Sequence, residues 1–195
     1  IQIGDGQKKG QIDYLIELKR ELYGINEPER KKDLQEKIQA SRKELLRLNF
    51  IGSNKIDKLF EEDASHKKRY FAWMLEYIEV FMENDGFDIV IGNPPYIDSE
   101  KMVNSDLEWE RDIIRKNYQY ARGNWDIYIP FFELGINLLN KSTGNLIYIT
   151  PDKWISKSFG DALRIGTVEN IKSIFKAGRE VFESATVDSI VTCID

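Results

Sequence analysis

The run Asp88-Ile89-Val90-Ile91-Gly92-Asn93-Pro94-Pro95-Tyr96 constrains this chain more than any other stretch. Three β-branched residues in succession favour a strand. Two consecutive prolines cannot continue one, because each lacks a backbone N–H and fixes its own φ. A short buried strand over 87–92 therefore ends at Gly92, and the chain has to leave the sheet there. A second strand, Asn145-Leu146-Ile147-Tyr148-Ile149-Thr150, is halted in the same way by Pro151, and further strands are expected near 171–175 and over 187–194. Between them the spacing of Ile129, Phe132, Leu134, Ile136, Leu138 and Leu139 predicts a helix capped by Asp126 and ending near 141–144, with another helix around 160–166. Strands separated by helices imply an α/β fold with a mainly parallel sheet and helices on its faces.

The amino-terminal third reads differently. Ile12, Leu15, Ile16, Leu18 and Leu22 share one helical face, the stretch 23–28 breaks the pattern, and Leu34, Ile38, Leu45 and Leu48 recur at heptad-compatible spacings. The expectation is a helical hairpin over 9–48, serving either as a clamp on nucleic acid or a partner, or as an inserted pair with a solvated charged face. A further helix is expected over 67–82, burying Phe71, Leu75, Ile78 and Phe81 or Met82. The domain reading is a hairpin insertion at 1–66 and a catalytic part at 67–195.

Charge and composition exclude several classes. Residues 1–69 carry 16 Lys/Arg against 13 Asp/Glu and residues 70–195 carry 12 against 20, so neither part is a basic arm built to coat DNA regardless of sequence. With one cysteine, Cys193, and one histidine, His66, the chain cannot form an internal disulfide or a Cys/His zinc site, and no metal is expected. His66 sits in a polar run and reads as a solvated histidine. No apolar run is long enough to span a bilayer and no signal region is visible, so the expected location is the cytoplasm. A start at Ile1 and a final apolar run at 191–194 lead to the expectation that the chain is part of a longer protein.

In an open α/β sheet, ligands bind at the carboxyl ends of the strands, which is where Asn93-Pro94-Pro95-Tyr96 falls. With two donors removed, the turn offers carbonyl oxygens and the Asn93 side chain, a stiff acceptor-rich edge beside an aromatic ring. Such an edge suits a planar substrate whose amino group must act as a nucleophile. The exocyclic amine of adenine is weakly nucleophilic because its lone pair is delocalised into the ring. The Asn93 side-chain oxygen and the Pro94 carbonyl could each accept one N–H bond and draw that nitrogen toward tetrahedral geometry, while Tyr96 stacks on the ring. Asn and Pro are also ordinary turn residues, so the tetrapeptide by itself leaves a plain strand-ending turn open.

With its flanks included, the chain resembles the adenine-specific DNA methyltransferases of bacterial restriction-modification systems, in the TaqI-like group and its fused restriction-methylase relatives. The resemblance covers about residues 70–195. It rests on the stretch from Phe71 to Phe81, on Asn93-Pro94-Pro95-Tyr96, on Asp126-Ile127-Tyr128, on Gly144 to Pro151 with Trp154-Ile155, and on Val181-Phe182-Glu183-Ser184-Ala185-Thr186-Val187. It implies part of a Rossmann-like fold that uses S-adenosylmethionine as methyl donor and double-stranded DNA as substrate. Asn93, Pro94, Pro95 and Tyr96 would be the catalytic motif, and Phe182 would be the second face holding a flipped-out base. From its surroundings alone, Phe182 could equally be a core aromatic before a strand. A recognition domain or subunit is expected beyond the carboxyl end, and base-edge readout would come from there.

Competing readings are a protein-glutamine or RNA amino-methyltransferase, which would use the same tetrapeptide on an amide or base nitrogen, and a non-catalytic DNA-binding or assembly module. Tyr118, Tyr120, Arg122 and Trp125 interleave aromatic and basic character, either to stack on DNA or as a surface loop with a tucked tryptophan. The glycine-rich cofactor motif and its ribose-binding acid, which the resemblance places before the catalytic motif, have no counterpart here. These 195 residues alone are therefore expected to bind S-adenosylmethionine weakly or not at all, and a low-micromolar dissociation constant by titration calorimetry would overturn that expectation.

Overall fold

The computed structural model describes residues 6–49, 71–104, 108–178 and 188–195. The chain divides into two compact units, Ile1–Glu83 and Asn84–Asp195.

In the first unit, α1 (Gly6–Tyr23) and α2 (Pro28–Asn49) form the expected hairpin, with Pro28 at the first helical position, where its missing N–H costs nothing. The bond from Gln11 Nε2 to Ser41 Oγ, 3.0 Å long, joins the start of α1 to the latter half of α2, so the helices run antiparallel. Ile12, Leu15, Ile16, Leu18, Leu34, Ile38 and Leu45 make the core, and Leu22 packs at its margin. The helix expected over 67–82 is instead two short helices, α3 (Trp73–Glu76) and α4 (Ile78–Glu83). Tyr77, at φ −125° and ψ 42°, breaks the helical phase between them. Leu75 and Ile78 join the hairpin core, whereas Phe71 and Met82 are exposed. That burial, with ion pairs from Lys19 to Glu79 and from Arg42 to Glu76, ties α3 and α4 to the hairpin. The compact units accordingly divide after Glu83 and not after residue 66.

The second unit is the α/β part. Its sheet has the order β1-β2-β4-β3, from β1 (Ile89–Gly92), β2 (Asn145–Pro151), β3 (Ile171–Gly178) and β4 (Ser189–Ile194). β1 and β2 are parallel, with Gly92 opposite Tyr148, and β4 lies antiparallel between β2 and β3. Three strands thus share one direction and the last runs against them. The helices are α5 (Ser99–Val103), α6 (Glu108–Asn117), α7 (Tyr128–Leu138), α8 (Lys153–Ser156) and α9 (Asp161–Thr167). Alternation along β2 and β4 puts Leu146, Tyr148, Thr150, Ile190, Thr192 and Ile194 in the core. They pack there with Trp125, Tyr128, Phe132, Trp154 and Leu163. Burying each large apolar side chain of this kind contributes about 1.5–3 kcal/mol. Gly135 lets α7 close on the sheet: a Cβ there would stand 2.3 Å from Leu146 Cδ1 and 2.6 Å from Tyr148 Oη.

Three expectations change. The helix from Asp126 begins one turn position later and stops at Leu138, because Leu139 adopts an extended ψ of 147° and pairs with Phe87 in a parallel bridge. Asp126 does not cap it through its side chain, and its backbone carbonyl accepts from Ile129 N instead. Among the described residues strand β1 is not buried: it lies at an edge of the sheet, and Ile89 and Ile91 are 64% and 75% exposed. The other edge, β3, carries Lys172 and Lys176 among its apolar residues, whereas β1 has no charged residue at all.

Entry to β1 is set by the turn at 84–86. Gly86 has φ +133°, and a Cβ on it would meet backbone atoms of Leu139 and Asn140 at 2.5–2.6 Å. Gly86→Ala combines a left-handed φ with a backbone clash, so it should cost about 1–3 kcal/mol or more, read as a lowered midpoint in urea unfolding.

Candidate active site

The site is built where β1 ends against β2, which runs on to Pro151. After Gly92 the chain cannot stay in the ladder, and Asn93–Asp98 runs as an extended segment to α5. Pro94 is buried and Pro95 exposed. The Asn93 side chain is exposed and makes no hydrogen bond among the described residues, and no backbone donor among them reaches the Pro94 carbonyl. Neither acceptor that the sequence singles out thus has a donor among the described residues. A segment with two prolines cannot be held by its own N–H groups, and its anchors lie on other atoms. Tyr96 Oη donates to the Ile149 carbonyl at 3.2 Å, and the Ser189 hydroxyl bonds to the same phenol. Ile127 N donates to the Ile97 carbonyl at 2.9 Å. Asp98 caps α5 by accepting from Lys101 N at 2.8 Å. Burial raises the Tyr96 phenol above its ordinary pKa, against the Ser189 bond, so the side chain is a neutral ring held by its hydroxyl.

Behind this segment sits a polar pair that the sequence does not announce. Tyr128 is fully buried and its ring lies edge-on to Tyr96, with centroids 6.4 Å apart. Asp126, two residues earlier, is 6% exposed. Its carboxyl is pushed above the ordinary range chiefly by burial, with Asp98 adding to the rise; the Tyr128 hydroxyl, Lys153 and the Ser99 backbone N–H pull the other way. The Tyr128 phenol is driven up by burial and by the Asp126 charge, and its hydroxyl has no partner at full hydrogen-bond geometry.

The aromatic and basic stretch 118–125 turns out to be structural. Trp125 is fully buried under the Arg111 guanidinium, 4.6 Å from its ring. Arg122 spends one nitrogen on the carbonyls of Arg115, Tyr118 and Ala121, which closes the carboxyl end of α6. The buried carboxylate of Glu133 accepts from Gln119 N and Tyr120 N at 2.9 and 2.8 Å, fastening the loop to α7. Trp125 is thus the tucked tryptophan, and one Arg122 nitrogen is committed to backbone carbonyls. Phe182 and His66 lie outside the described residues. Among the described residues no cluster of three or more metal-ligating side chains occurs, and no helix is long and apolar enough to cross a membrane.

Residues 14–182 match the Eco57I restriction-modification methylase family. The chain belongs to that family. It is 35% identical over 116 residues to the type II restriction enzyme and methyltransferase RM.Eco57I of Escherichia coli, a match covering 58% of this chain and 11% of that protein. It is 40% identical over 78 residues to the type II methyltransferase M.PaeR7I of Pseudomonas aeruginosa, covering 40% of this chain and 13% of the relative. A solved structure from Listeria monocytogenes, provisionally described as a class I S-adenosylmethionine-dependent methyltransferase, aligns at 22% identity and a TM-score of 0.37 over 56% of this chain and 31% of its own. That superposition decides nothing, and the fold rests on the strand pairing above. The chain thus spans about an eighth of the length of the two curated relatives.

Methylases of this family imply S-adenosylmethionine. Among the described residues, the turns after β1 and β2 are Asn93-Pro94-Pro95 and Pro151-Asp152, which offer carbonyls and few N–H groups. No strand there opens onto a glycine-rich turn and helix followed by a ribose-binding acid. These residues do not build a cradle for the donor.

A group whose folded-state pKa is raised binds an extra proton in the folded protein between the unfolded and folded values. The Asp126 contribution to stability therefore falls as pH rises through that window and stays low above it. Asp126→Asn should melt higher than the native protein at pH 7, with the gap closing as pH approaches about 4, and a lower melting point at pH 7 would show that the partners of the carboxylate outweigh its burial.

Proposed function

We propose that this chain carries the methyl-accepting half of a site-specific DNA methyltransferase, acting on the exocyclic amino group (N6) of an adenine swung out of the duplex. The observation that carries the reading is the pair of acceptors left without a donor among the described residues, Asn93 and Pro94, on a proline-stiffened segment at the carboxyl end of β1 with Tyr96 held beside them.

S-adenosylmethionine supplies an electrophilic methyl group on a sulfonium. The protein's own residues prepare the nucleophile. The Asn93 side-chain oxygen and the Pro94 carbonyl each accept one N–H of the target amine, which localises the lone pair on nitrogen and aims it. Because neither proline can move its φ freely, the two acceptors keep their separation without help from the substrate, so little of the substrate's binding energy goes into ordering them. Tyr96 presents a ring face whose tilt is set by the bond of its hydroxyl to Ile149. A base inside a duplex cannot reach such a segment, which is why the target has to be extruded. Phe182 is the proposed opposite face. The proton lost by the amine goes to water, as no general base is needed for a group that becomes acidic once alkylated.

The test uses the full-length protein, S-adenosylmethionine labelled in its methyl group, and plasmid DNA from a host without DNA methylation, with products digested to nucleosides. Label in N6-methyladenine, reduced at least about 100-fold by Asn93→Ala, is the expected result. Label in protein glutamine or RNA would replace the reading with one of those substrates, and no transfer by the native protein would leave a binding or assembly role.

A further inference from the structure

The exposed side of the loop after β2 plays no part in the reading above. Pro151 ends the strand, and from Lys153 the chain makes α8 and a 3-10 turn, Ser158–Gly160, before α9. Trp154 holds this loop from inside, 1% exposed in the core. Arg164 closes it from α9 by donating to the Trp154 and Lys157 carbonyls, the latter at 3.0 Å. Gly160 completes the fit, since a Cβ there would collide with the Trp154 carbonyl. The side chains that a loop so braced leaves exposed are Lys153, Ile155, Ser156, Lys157 and Ser158. The loop stands at the carboxyl end of β2, the end where the Tyr96 hydroxyl reaches the Ile149 carbonyl. Burial raises the Asp126 carboxyl and Lys153 is close enough to pull it back, while the next residue, Ile127, bonds to the catalytic segment through its N–H.

The charge of this loop is unlike that of its surroundings. Residues 70–195 carry 12 Lys/Arg against 20 Asp/Glu, yet no acid occurs between Asp152 and Asp161, and Asp161 is itself paired with Arg164. Lys101 and Lys172 likewise have acidic partners, whereas Lys153 and Lys157 make no ion pair among the described residues. The Lys157 N–H donates to the Lys153 carbonyl at 2.9 Å, which puts the two lysines one helical turn apart, about 5–6 Å between Cβ atoms. Two free ammonium groups and two exposed hydroxyls, with no acid among them, are the side chains that take phosphate oxygens. We propose that the loop 153–158 is a contact surface for the DNA sugar-phosphate backbone beside the extruded adenine, with Lys153 and Lys157 each meeting one phosphate and the Ser156 and Ser158 hydroxyls donating alongside. Such contacts fix the register of the duplex on the protein and carry no sequence information. The proposal rests on the DNA reading, and the two can fail separately.

The experiment measures binding of linear fragments of the same plasmid by the full-length protein across about 50 to 200 mM monovalent salt. It compares native, Lys153→Gln, Lys157→Gln, the double Gln variant, Lys153→Arg and Lys141→Gln, with the melting temperature of each. Lys141 is the control, an exposed lysine in the turn leading into β2. The slope of log affinity against log salt follows the number of phosphates neutralised. Each single Gln variant at 153 or 157 is therefore expected to lower its magnitude by about 1 and the double variant by about 2, with several-fold weaker binding and unchanged melting. Lys153→Arg and Lys141→Gln should keep the native slope. A native slope in the double variant, an equal loss in Lys141→Gln, or losses that track a lowered melting temperature would each overturn the assignment. The methylation assay above tests the underlying reading separately. DNA methylated with unchanged slopes removes the loop and leaves the reading, lowered slopes without transfer of label to DNA leave the loop as a DNA contact and remove the reading, and a protein that neither binds nor methylates DNA removes both.

Discussion

Two adjacent prolines at the end of β1 impose the constraint on which the second unit depends. They expel the chain from the sheet and remove the donors that would ordinarily hold an exit loop. The segment is therefore secured by what it can still offer, a carbonyl at Ile97 and a phenol at Tyr96, and the elements that receive these groups are the carboxyl end of β2, the start of β4 and the turn into α7. The parallel register of β1 on β2, with Gly92 opposite Tyr148, leaves β2 running on past the end of β1, so that the Ile149 carbonyl lies where Tyr96 can reach it. Stiffness and the two acceptors come from the same residues.

The two buried acids, Asp126 before α7 and Glu133 within it, show how differently a carboxylate can be used. Glu133 finds two backbone N–H groups from Gln119 and Tyr120, its lone pairs are occupied, and it holds a loop. Asp126 has weaker company, and burial dominates its titration. One stabilises the fold through charge-assisted hydrogen bonds, and the other is tolerated by it.

Much of this was legible in the sequence, for reasons that can be named. The helical hairpin follows from apolar spacing, and its break falls within the stretch 23–28 where that spacing stops, since those signals are local. The strand end at Gly92 follows from proline chemistry, whereas β2 takes Pro151 in as its last residue, opposite Ser189. What could not be read depended on partners distant in the chain. Tyr77 interrupts the 73–83 helix through a backbone conformation that no residue type there demands. For Arg122 and Trp125 the sequence left open a stacking surface or a loop with a tucked tryptophan, and what decides the burial of Trp125 is Arg111, far from it in the chain, with Arg122 held by carbonyls at the end of α6. The exposure of β1 was invisible, because three branched residues in a row look the same in a central strand and at an edge. Of the candidate site residues, Asn93 to Tyr96 sit together as expected from one contiguous motif. Asp126 and Tyr128 were seen only as part of a helix start.

The bare edge of β1 has a consequence for the polypeptide in solution. Among the described residues no strand pairs with the outer backbone groups of Ile89–Gly92, and with Ile89 and Ile91 exposed and no charge within the strand they form an adhesive template for another extended chain. A solution of these residues at rising concentration will find that template in neighbouring molecules. Strand addition between copies would then compete with the monomer, and a lysine on the solvent side of β1 would act as the gatekeeper that β3 already possesses.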